Sequence, residues 1–302
     1  MANKPGYLSL LDSGKYKGRL QKAREYLSSC TVCPRTCRVN RLEGEIGDCR
    51  IGSRARVSSY GPHYGEESPL RGWKGSGTVF FSGCNLHCQY CQNASISQSG
   101  GGREVSPEQL AGMMLSLQER GCHNINLVSP THVGPQIMEA VFVAAKKGLT
   151  LPLVYNTGGY DSVRMLRLFS GIVDIYMPDM KYADPQVGVT YSRAESYPTV
   201  NQRAVKEMHR QVGDLVLDEQ GIAVKGLLIR HLILPHQLAG SAQILKFIAE
   251  EISGKTYLNL MDQYRPSYRA HRYPELNRRL TRKEFAEVKR LASELGLERG
   301  DR

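Results

Sequence analysis

The chain is organised around one stretch, Phe80-Phe81-Ser82-Gly83-Cys84-Asn85-Leu86-His87-Cys88-Gln89-Tyr90-Cys91-Gln92-Asn93. Its three cysteines have the spacing C-x3-C-x2-C and follow an apolar run, residues 78–81, that we predict to be a strand. Three thiolates on one loop can hold three irons of a [4Fe–4S] cube, whereas such clusters are normally held by four cysteines. The fourth iron would then be open, and an open metal position is where a substrate or cosubstrate binds.

The alternative for this loop is a single zinc ion, completed by a fourth ligand such as His87. Zinc motifs usually contain two C-x2-C-like pairs, and this stretch contains one. The position of the loop directly after a predicted strand also fits a cluster better. The sequence therefore favours an iron–sulfur cluster here.

Composition restricts the kind of protein. The chain has 302 residues, of which 41% are hydrophobic, and no apolar run approaches the roughly 18 residues that a membrane span needs. The first residues lack the apolar core and cleavage site of a signal peptide. We therefore predict a cytoplasmic protein with no membrane partner. Eight cysteines in such a protein indicate metal or redox chemistry before disulfides.

A second group of cysteines lies near the N-terminus, with the spacing C-x2-C-x3-C-x11-C, at Cys30, Cys33, Cys37 and Cys49. Four thiolates can close a metal site, and a bound metal would order a segment too small for a large core. Zinc is one candidate and a second [4Fe–4S] cluster is the other; the spacing leaves both open. We predict that residues 1–76 form this cysteine-rich segment with an irregular connection over residues 51–76, and that residues 77–302 form the main domain.

From residue 77 onward, predicted strands and helices alternate. The strands cover residues 78–81, 124–128, 151–155, 172–177, 227–234 and 257–261, and the helices cover residues 106–120, 134–147, 161–169, 184–194, 199–212, 238–251 and 281–295. Alternation of this kind predicts parallel βαβ units in an α/β fold. Six units make a partial (β/α)6 TIM-like barrel. Barrel enzymes carry their chemistry at the carboxyl ends of the strands, so the polar residues that follow the strands should converge at one mouth.

The cysteine spacing, with Tyr90 just before the third cysteine, resembles the cluster loop of the radical S-adenosylmethionine (SAM) superfamily. In that family the open iron binds the amino and carboxylate groups of SAM. The reduced cluster cleaves SAM to methionine and a 5′-deoxyadenosyl radical, which abstracts a hydrogen atom. The resemblance implies the partial barrel fold, SAM as cosubstrate, and a [4Fe–4S] cluster on Cys84, Cys88 and Cys91.

Residues after the other strands are candidates for SAM contacts. The resemblance implies a SAM amino-group site after the second strand, where the family often has Gly-Gly-Glu-Pro and this chain has Ser129-Pro130-Thr131-His132. Asp179-Met180-Lys181 resembles the Asp-x-Lys of glycyl-radical-enzyme activating enzymes, where both side chains lie near the ribose or carboxylate of SAM. Two glycines after Thr157 would permit close approach of a ligand. The predicted SAM contacts are Tyr90, Ser129, Thr131, Asn156, Asp179, Lys181 and Gln263.

Longer stretches resemble a narrower group. The sequences Cys33-Pro34-Arg35-Thr36-Cys37 and Ser129-Pro130-Thr131-His132-Val133, with the cluster loop, look like those of uncharacterised radical SAM proteins described as pyruvate formate-lyase activating enzyme-like. This resemblance implies a glycyl-radical enzyme or another protein as substrate, and a low-potential electron donor such as flavodoxin or ferredoxin.

Other substrate classes stay open. The net charge of +11 would attract an acidic protein, but equally RNA or an anionic metabolite. We therefore keep radical SAM modification of RNA, a peptide or a small metabolite as the alternative function. A non-catalytic cluster-binding protein is a third hypothesis, which SAM cleavage in the presence of a reductant would exclude.

Overall fold

A computed structural model describes residues 4–300 of the chain. Within that range the strands are β1 Ala55–His63, β2 Ser76–Phe81, β3 Arg103–Val105, β4 Ile125–Val128, β5 Leu153–Thr157, β6 Ile175–Pro178, β7 Val216–Leu217, β8 Ala223–Leu232 and β9 Tyr257–Met261. The helices are α1 Gly6–Asp12, α2 Tyr16–Ser28, α3 Ser68–Arg71, α4 Ala94–Ser97, α5 Pro107–Glu119, α6 Gly134–Lys146, α7 Val163–Phe169, α8 Pro185–Ser192, α9 Tyr197–Val212, α10 Ser241–Phe247 and α11 Arg282–Glu294.

The six predicted core strands are all present and parallel. In the part of the chain that the structure describes, they pair in the order β2-β4-β5-β6-β8-β9, so each strand lies beside its predecessor in the chain. Helices lie between successive strands, as crossover connections between parallel strands require. Within residues 4–300, β9 pairs with β8 and not with β2. The arrangement is therefore an α/β fold consistent with the partial barrel that we predicted.

The two faces of the sheet differ in chemistry. Side chains alternate between faces along each strand, so Leu127 and Tyr155 face the helices in the main apolar core. The opposite face carries a smaller apolar cluster that includes Val154 and Met177. Polar side chains share this inner face, of which Asn126 is fully buried. Asn126 pairs in register with Val154, and Asn156 with Met177, so polar and apolar side chains lie side by side on the inner face.

Residues 51–76 were wrongly predicted to be irregular, since they contain β1 and α3. β1 runs antiparallel to β2, from the pair Val57↔Phe81 to the pair His63↔Ser76. Pro62 is tolerated because β3 pairs only with the first three residues of β1, which leaves no strand beside Pro62 on that side. Leu70 of α3 is fully buried in the inner apolar cluster. This segment therefore closes the end of the barrel opposite the carboxyl ends of the strands.

The first two helices pack against the barrel. The Tyr16 hydroxyl donates to the Met138 carbonyl of α6 at 3.0 Å, and the Tyr7 hydroxyl donates to the Leu151 carbonyl at 2.9 Å. Both tyrosines are fully buried in the main core. The N-terminal segment therefore shares its core with the rest of the chain.

Element boundaries shift by a few residues from the predicted ones. β5 extends to Thr157, so Asn156 lies within the strand and not after it. Ser106 caps α5 in a full capping box, with Pro107 at the first helical position, as the sequence indicates. We found no helix within residues 4–300 whose length and apolar character would let it cross a bilayer.

Candidate active site

The three-cysteine loop leaves β2 through a sharply constrained turn. Gly83 has φ +77°, and a Cβ there would lie 2.5 Å from the Cys49 carbonyl oxygen, so only glycine fits. Burial raises the pKa of the Cys84 thiol to about 12, and the neighbouring Cys88 thiol adds to the rise. Burial also raises the pKa of Cys88. Without a bound metal these thiols would hold their protons, so metal binding here would release them.

Each of the three thiols has a hydrogen-bond partner. The Leu86 amide donates to Cys84 Sγ at 3.4 Å, the Ser192 hydroxyl donates to Cys88 Sγ at 3.0 Å, and Ser97 Oγ lies 3.2 Å from Cys91 Sγ. Donors aimed at sulfur stabilise thiolates and tune iron–sulfur clusters. In a [4Fe–4S] cube each of the three sulfurs would bind a different iron.

His87 does not complete a zinc site with these thiols. Its Nε2 lies 2.8 Å from Asp48 Oδ2 and its Nδ1 lies 3.0 Å from Gln98 Oε1. Both ring nitrogens are therefore engaged away from the cysteines. The donor set of the loop fits a [4Fe–4S] cluster and not a zinc ion completed by His87.

A chain of hydroxyl groups links two residues of the loop, Tyr90 and Cys88. Its hydroxyl donates to the Tyr182 hydroxyl at 2.6 Å, and Tyr182 Oη lies 2.7 Å from Ser192 Oγ, which in turn donates to Cys88. Tyr90 is buried, and burial raises its pKa well above the usual value. Sequence reasoning identified Tyr90 but missed Tyr182 and Ser192, since neither lies in a recognisable motif.

Arg230 of β8 joins Asp179 to Asn156, and Lys181 is bonded to Asp179. Lys181 Nζ donates to Asp179 Oδ2 at 2.6 Å, and Arg230 donates to Asp179 Oδ1 and to Asn156 Oδ1, each at 2.8 Å. Burial opposes ionisation of Asp179, but the charges of Arg230 and Lys181 outweigh it and lower its pKa. Glu67 of the closing segment lies 4.0 Å from the Arg230 guanidinium. The sequence alone indicates that Arg230, a charged residue on a buried strand, has a partner of opposite charge, but it does not identify that partner.

Lys181 lies beside the cysteine loop. A Cβ at Gly158 would lie 2.7 Å from Leu86 of the loop and 3.6 Å from the Lys181 side chain. Burial opposes protonation of Lys181, but Asp179 and Cys88 raise its pKa and keep the ammonium charged. A cation therefore stands close to the Cys84 and Cys88 thiols. Gly158 and Gly159 were predicted to permit close approach of a ligand, but the atoms that lie close to them belong to the protein itself.

Thr131 and Ser129 are held by the protein itself. The Thr131 hydroxyl donates to Asp161 Oδ1 at 2.7 Å, and the Ser129 amide donates to the Asn156 carbonyl at 2.9 Å. Burial raises the pKa of Asp161, which accepts hydrogen bonds from Thr157 and Tyr155 as well. The acid beside Thr131 is Asp161 of the next loop, and it also contacts Tyr155, whose side chain faces the helices.

Gln263 is exposed at the end of β9. The side-chain amide of Gln263 contacts Met261 Sδ at 3.5 Å. Its backbone carbonyl accepts a hydrogen bond from the side chain of Gln92, the residue after Cys91, at 3.4 Å. Its loop therefore borders the cysteine loop, but its side chain does not join the group around Asp179.

The N-terminal cysteines form a second group next to the loop. Cys30, Cys33 and Cys49 are buried and Cys37 is half-buried. Burial is the main cause that raises the pKa of Cys33, and the other three thiols of the group add to it. The group therefore assembles in space as well as in sequence.

Comparisons with known proteins agree with this site. The family model of the radical SAM superfamily matches residues 78–220. The chain is 31% identical over 290 residues to a protein of Methanocaldococcus jannaschii that is named Uncharacterized protein MJ0674, covering 93% of this chain and 79% of that protein.

Two solved structures match part of the chain. A radical SAM methyltransferase from Sphaerobacter thermophilus matches with a TM-score of 0.50 and 12% identity, covering 74% of this chain and 65% of that chain. The structure of anSMEcpe with bound AdoMet matches with a TM-score of 0.47 and 12% identity, covering 70% of this chain and 57% of that one. The chain thus spans less than two thirds of either solved protein.

The family model includes all three cysteines of the loop and most of the parallel strands whose ends surround it. The relative of Methanocaldococcus jannaschii extends the likeness over nearly the whole chain. Membership implies an enzyme with a [4Fe–4S] cluster and SAM as cofactors. The chain belongs to the radical SAM superfamily.

Proposed function

We propose that this protein is a radical SAM enzyme that acts on a protein substrate, most simply by making a glycyl radical on a partner enzyme. The observation that carries the radical chemistry is the loop of Cys84, Cys88 and Cys91, with one hydrogen-bond partner on each sulfur and the Lys181 ammonium beside it. When bound, the cluster and SAM supply reductive cleavage to methionine and a 5′-deoxyadenosyl radical, which abstracts hydrogen from the substrate.

The chain's own residues would bind and orient SAM. The Lys181 ammonium suits the SAM carboxylate, and the Asp179 carboxylate suits ribose hydroxyls while it holds Lys181 and Arg230 in place. Tyr90, Ser129 and Gln263 remain proposed contacts at the edges of the site. Thr131 and Asn156 are committed to Asp161 and Arg230, which favours a positioning role for these two.

The proposed partners follow from charge and chemistry. Reduction of the cluster needs a low-potential one-electron donor, such as flavodoxin or ferredoxin. A net charge of +11 favours acidic partners at both steps, because opposite charges accelerate association. Activation of a glycyl-radical enzyme accounts for the Asp-x-Lys sequence at Asp179 and Lys181, which RNA or metabolite modification does not require.

The test is anaerobic SAM cleavage with dithionite as reductant. We expect the wild type to form methionine and 5′-deoxyadenosine, and the Cys84/Cys88/Cys91→Ala variant to form neither. Cys122→Ala is the matched control, because Cys122 is buried and lies outside both cysteine groups. No cleavage by reconstituted wild type would contradict the proposal.

The substrate class is tested separately by EPR. A glycyl-radical signal on a candidate glycyl-radical enzyme, dependent on SAM and on Cys84, Cys88 and Cys91, supports activation. Deuterium transfer into 5′-deoxyadenosine from RNA, a peptide or a small metabolite, with no glycyl radical, supports the alternative.

A further inference from the structure

A buried cation lies against one of the four N-terminal cysteines. Arg41 is fully buried, and its guanidinium contacts Cys30 Sγ at 3.9 Å, the Gly52 carbonyl at 2.9 Å and the His132 carbonyl at 2.9 Å. Within residues 4–300 it makes no ion pair with a carboxylate, and its Nη2 has no hydrogen-bond partner. A buried charge normally has an opposite charge nearby. The Cys30 group is the source of negative charge at hand, provided that its sulfurs are metal-bound thiolates.

Four thiolates can hold either one zinc ion, with each sulfur at about 2.3 Å, or the four irons of a cube. Gly47 leaves the space beside Cys37 open, since a Cβ there would lie 3.1 Å from Cys37 Sγ. An iron–sulfur cluster carries electrons and zinc does not, so the contacts of this group with the SAM-binding loop favour the cluster.

The segments that carry the two cysteine groups are in direct contact. The Cys49 carbonyl lies against Gly83, the residue before Cys84. Arg35, between Cys33 and Cys37, donates from Nε to the Asn85 carbonyl at 2.8 Å. Asp48, the residue before Cys49, contacts His87, the residue before Cys88. In each of these three contacts, both residues lie within two positions of a cysteine of their own group.

We propose that Cys30, Cys33, Cys37 and Cys49 hold a second [4Fe–4S] cluster that relays electrons to the cluster on Cys84, Cys88 and Cys91. This relay rests on the proposed function. The cluster that these four cysteines would hold would accept one electron from a reduced acidic donor protein and pass it to the SAM-binding cluster, and the donor would be oxidised by one electron for each electron delivered. No bond to protein forms or breaks, and the buried Arg41 offsets the charge of the thiolate-bound cluster.

The outer side of the N-terminal group suits an acidic protein donor. Leu42 is 42% exposed and Ile46 is 61% exposed, which is unusual for large apolar side chains. Arg38 and Arg50 are exposed on the same segment, next to Cys37 and Cys49 in the chain. Glu43, Glu45 and Asp48 are also exposed on this segment, so it carries both signs of charge, and the net charge of +11 of the whole chain is what favours an acidic donor.

The first experiment measures metals in the Cys84/Cys88/Cys91→Ala variant after anaerobic reconstitution with iron and sulfide. We expect about four irons per chain to remain, with no zinc, and an EPR signal of the reduced protein that SAM does not change. The Cys122→Ala control should hold about eight irons, as the wild type does. Zinc, or no metal, in the triple variant would overturn the relay without touching the proposed function.

The second experiment compares two reductants. For Arg38→Glu/Arg50→Glu we expect the rate of SAM cleavage with reduced flavodoxin, divided by the rate with dithionite, to fall about tenfold through a raised KM for flavodoxin. Arg120→Glu/Lys147→Glu makes the same change in net charge on exposed residues elsewhere and should keep the wild-type ratio. An equal fall in both variants would overturn the donor surface. If the wild type did not cleave SAM with dithionite, the proposed function would be overturned instead.

Discussion

Ser192 illustrates how the residue scale decides the chemistry of the site. Its hydroxyl donates to Cys88 Sγ at 3.0 Å and is fully buried, so no water can replace it. We expect Ser192→Ala to lower the reduction potential of the SAM-binding cluster, on the order of tens of mV, because the lost donor stabilised the more negative reduced state. A redox titration monitored by EPR measures the shift.

The control for Ser192 lies on the same helix. Thr190→Ala removes a hydroxyl that contacts Gln186 and no cysteine. It should leave the potential unchanged. An equal shift in both variants would mean that helix α8, and not the Ser192 hydroxyl, governs the potential.

His231 makes a second prediction, on pH. It is fully buried, its Nδ1 donates to the Met180 carbonyl at 2.6 Å, and its Nε2 accepts from Ser241 at 2.8 Å. Burial lowers its pKa from 6.5 to about 4. Between these two values the unfolded chain binds the proton and the folded chain does not, so folding stability falls as the pH drops below 6.5. The loss from His231 is about 2 kcal/mol at about pH 5.

The measurement is urea unfolding across this pH range. His231→Asn, which keeps an N–H near the position of Nδ1, should lose less stability on acidification than the wild type does. His271→Asn serves as the control for changing a histidine, because His271 lies on the surface. Parallel curves for the wild type and His231→Asn would show that His231 does not contribute.

At the scale of the elements, Gly159 joins the ends of β5 and β6. It has φ +78°, and a Cβ there would lie 2.1 Å from the Asp179 carbonyl oxygen. Gly148 has φ +96° with nothing within 4 Å of its Cβ position. We expect Gly148→Ala to cost only backbone strain, about 1–2 kcal/mol. Gly159→Ala must also displace Asp179, and should cost more than about 4 kcal/mol.

Urea unfolding of both glycine variants separates strain from crowding. Gly159→Ala should in addition weaken SAM binding, because the displaced segment carries Lys181. Equal losses of stability in the two variants would mean that the loop after β6 moves freely, and that Gly159 does not hold the site.

The predicted and the missed elements differ in how local their signals are. The six parallel strands were predictable because their apolar runs are buried on both faces and are bounded by turn residues. β1 was missed because it contains Gly61 and Pro62, and its pairing with β2 is not visible in its own sequence. The cysteines were found from spacing alone, whereas Ser192 meets Cys88 from 104 residues away and has no local signal.

At the scale of the whole molecule, the apolar core runs without a break from the N-terminal helices into the barrel. Tyr7, Tyr16 and Ile137 share one buried cluster with the strands. The cysteine-rich segment in turn contacts the SAM-binding loop through Arg35 and Asp48. Residues 1–76, although predicted as a separate segment, would therefore lose most of their buried partners if they were cut from the rest.

We accordingly expect the chain to unfold in one cooperative transition. Trp73, the only tryptophan, packs edge-on against His123, with 4.6 Å between the ring centroids. Its fluorescence therefore reports on the closed end of the barrel. Visible absorption of the cluster on Cys84, Cys88 and Cys91 reports on the opposite end. In a small cooperative unit, different probes give coincident transitions. Anaerobic urea titrations should thus give one midpoint for both signals, whereas cluster loss well before the Trp73 change would show that the cysteine-rich segment unfolds on its own.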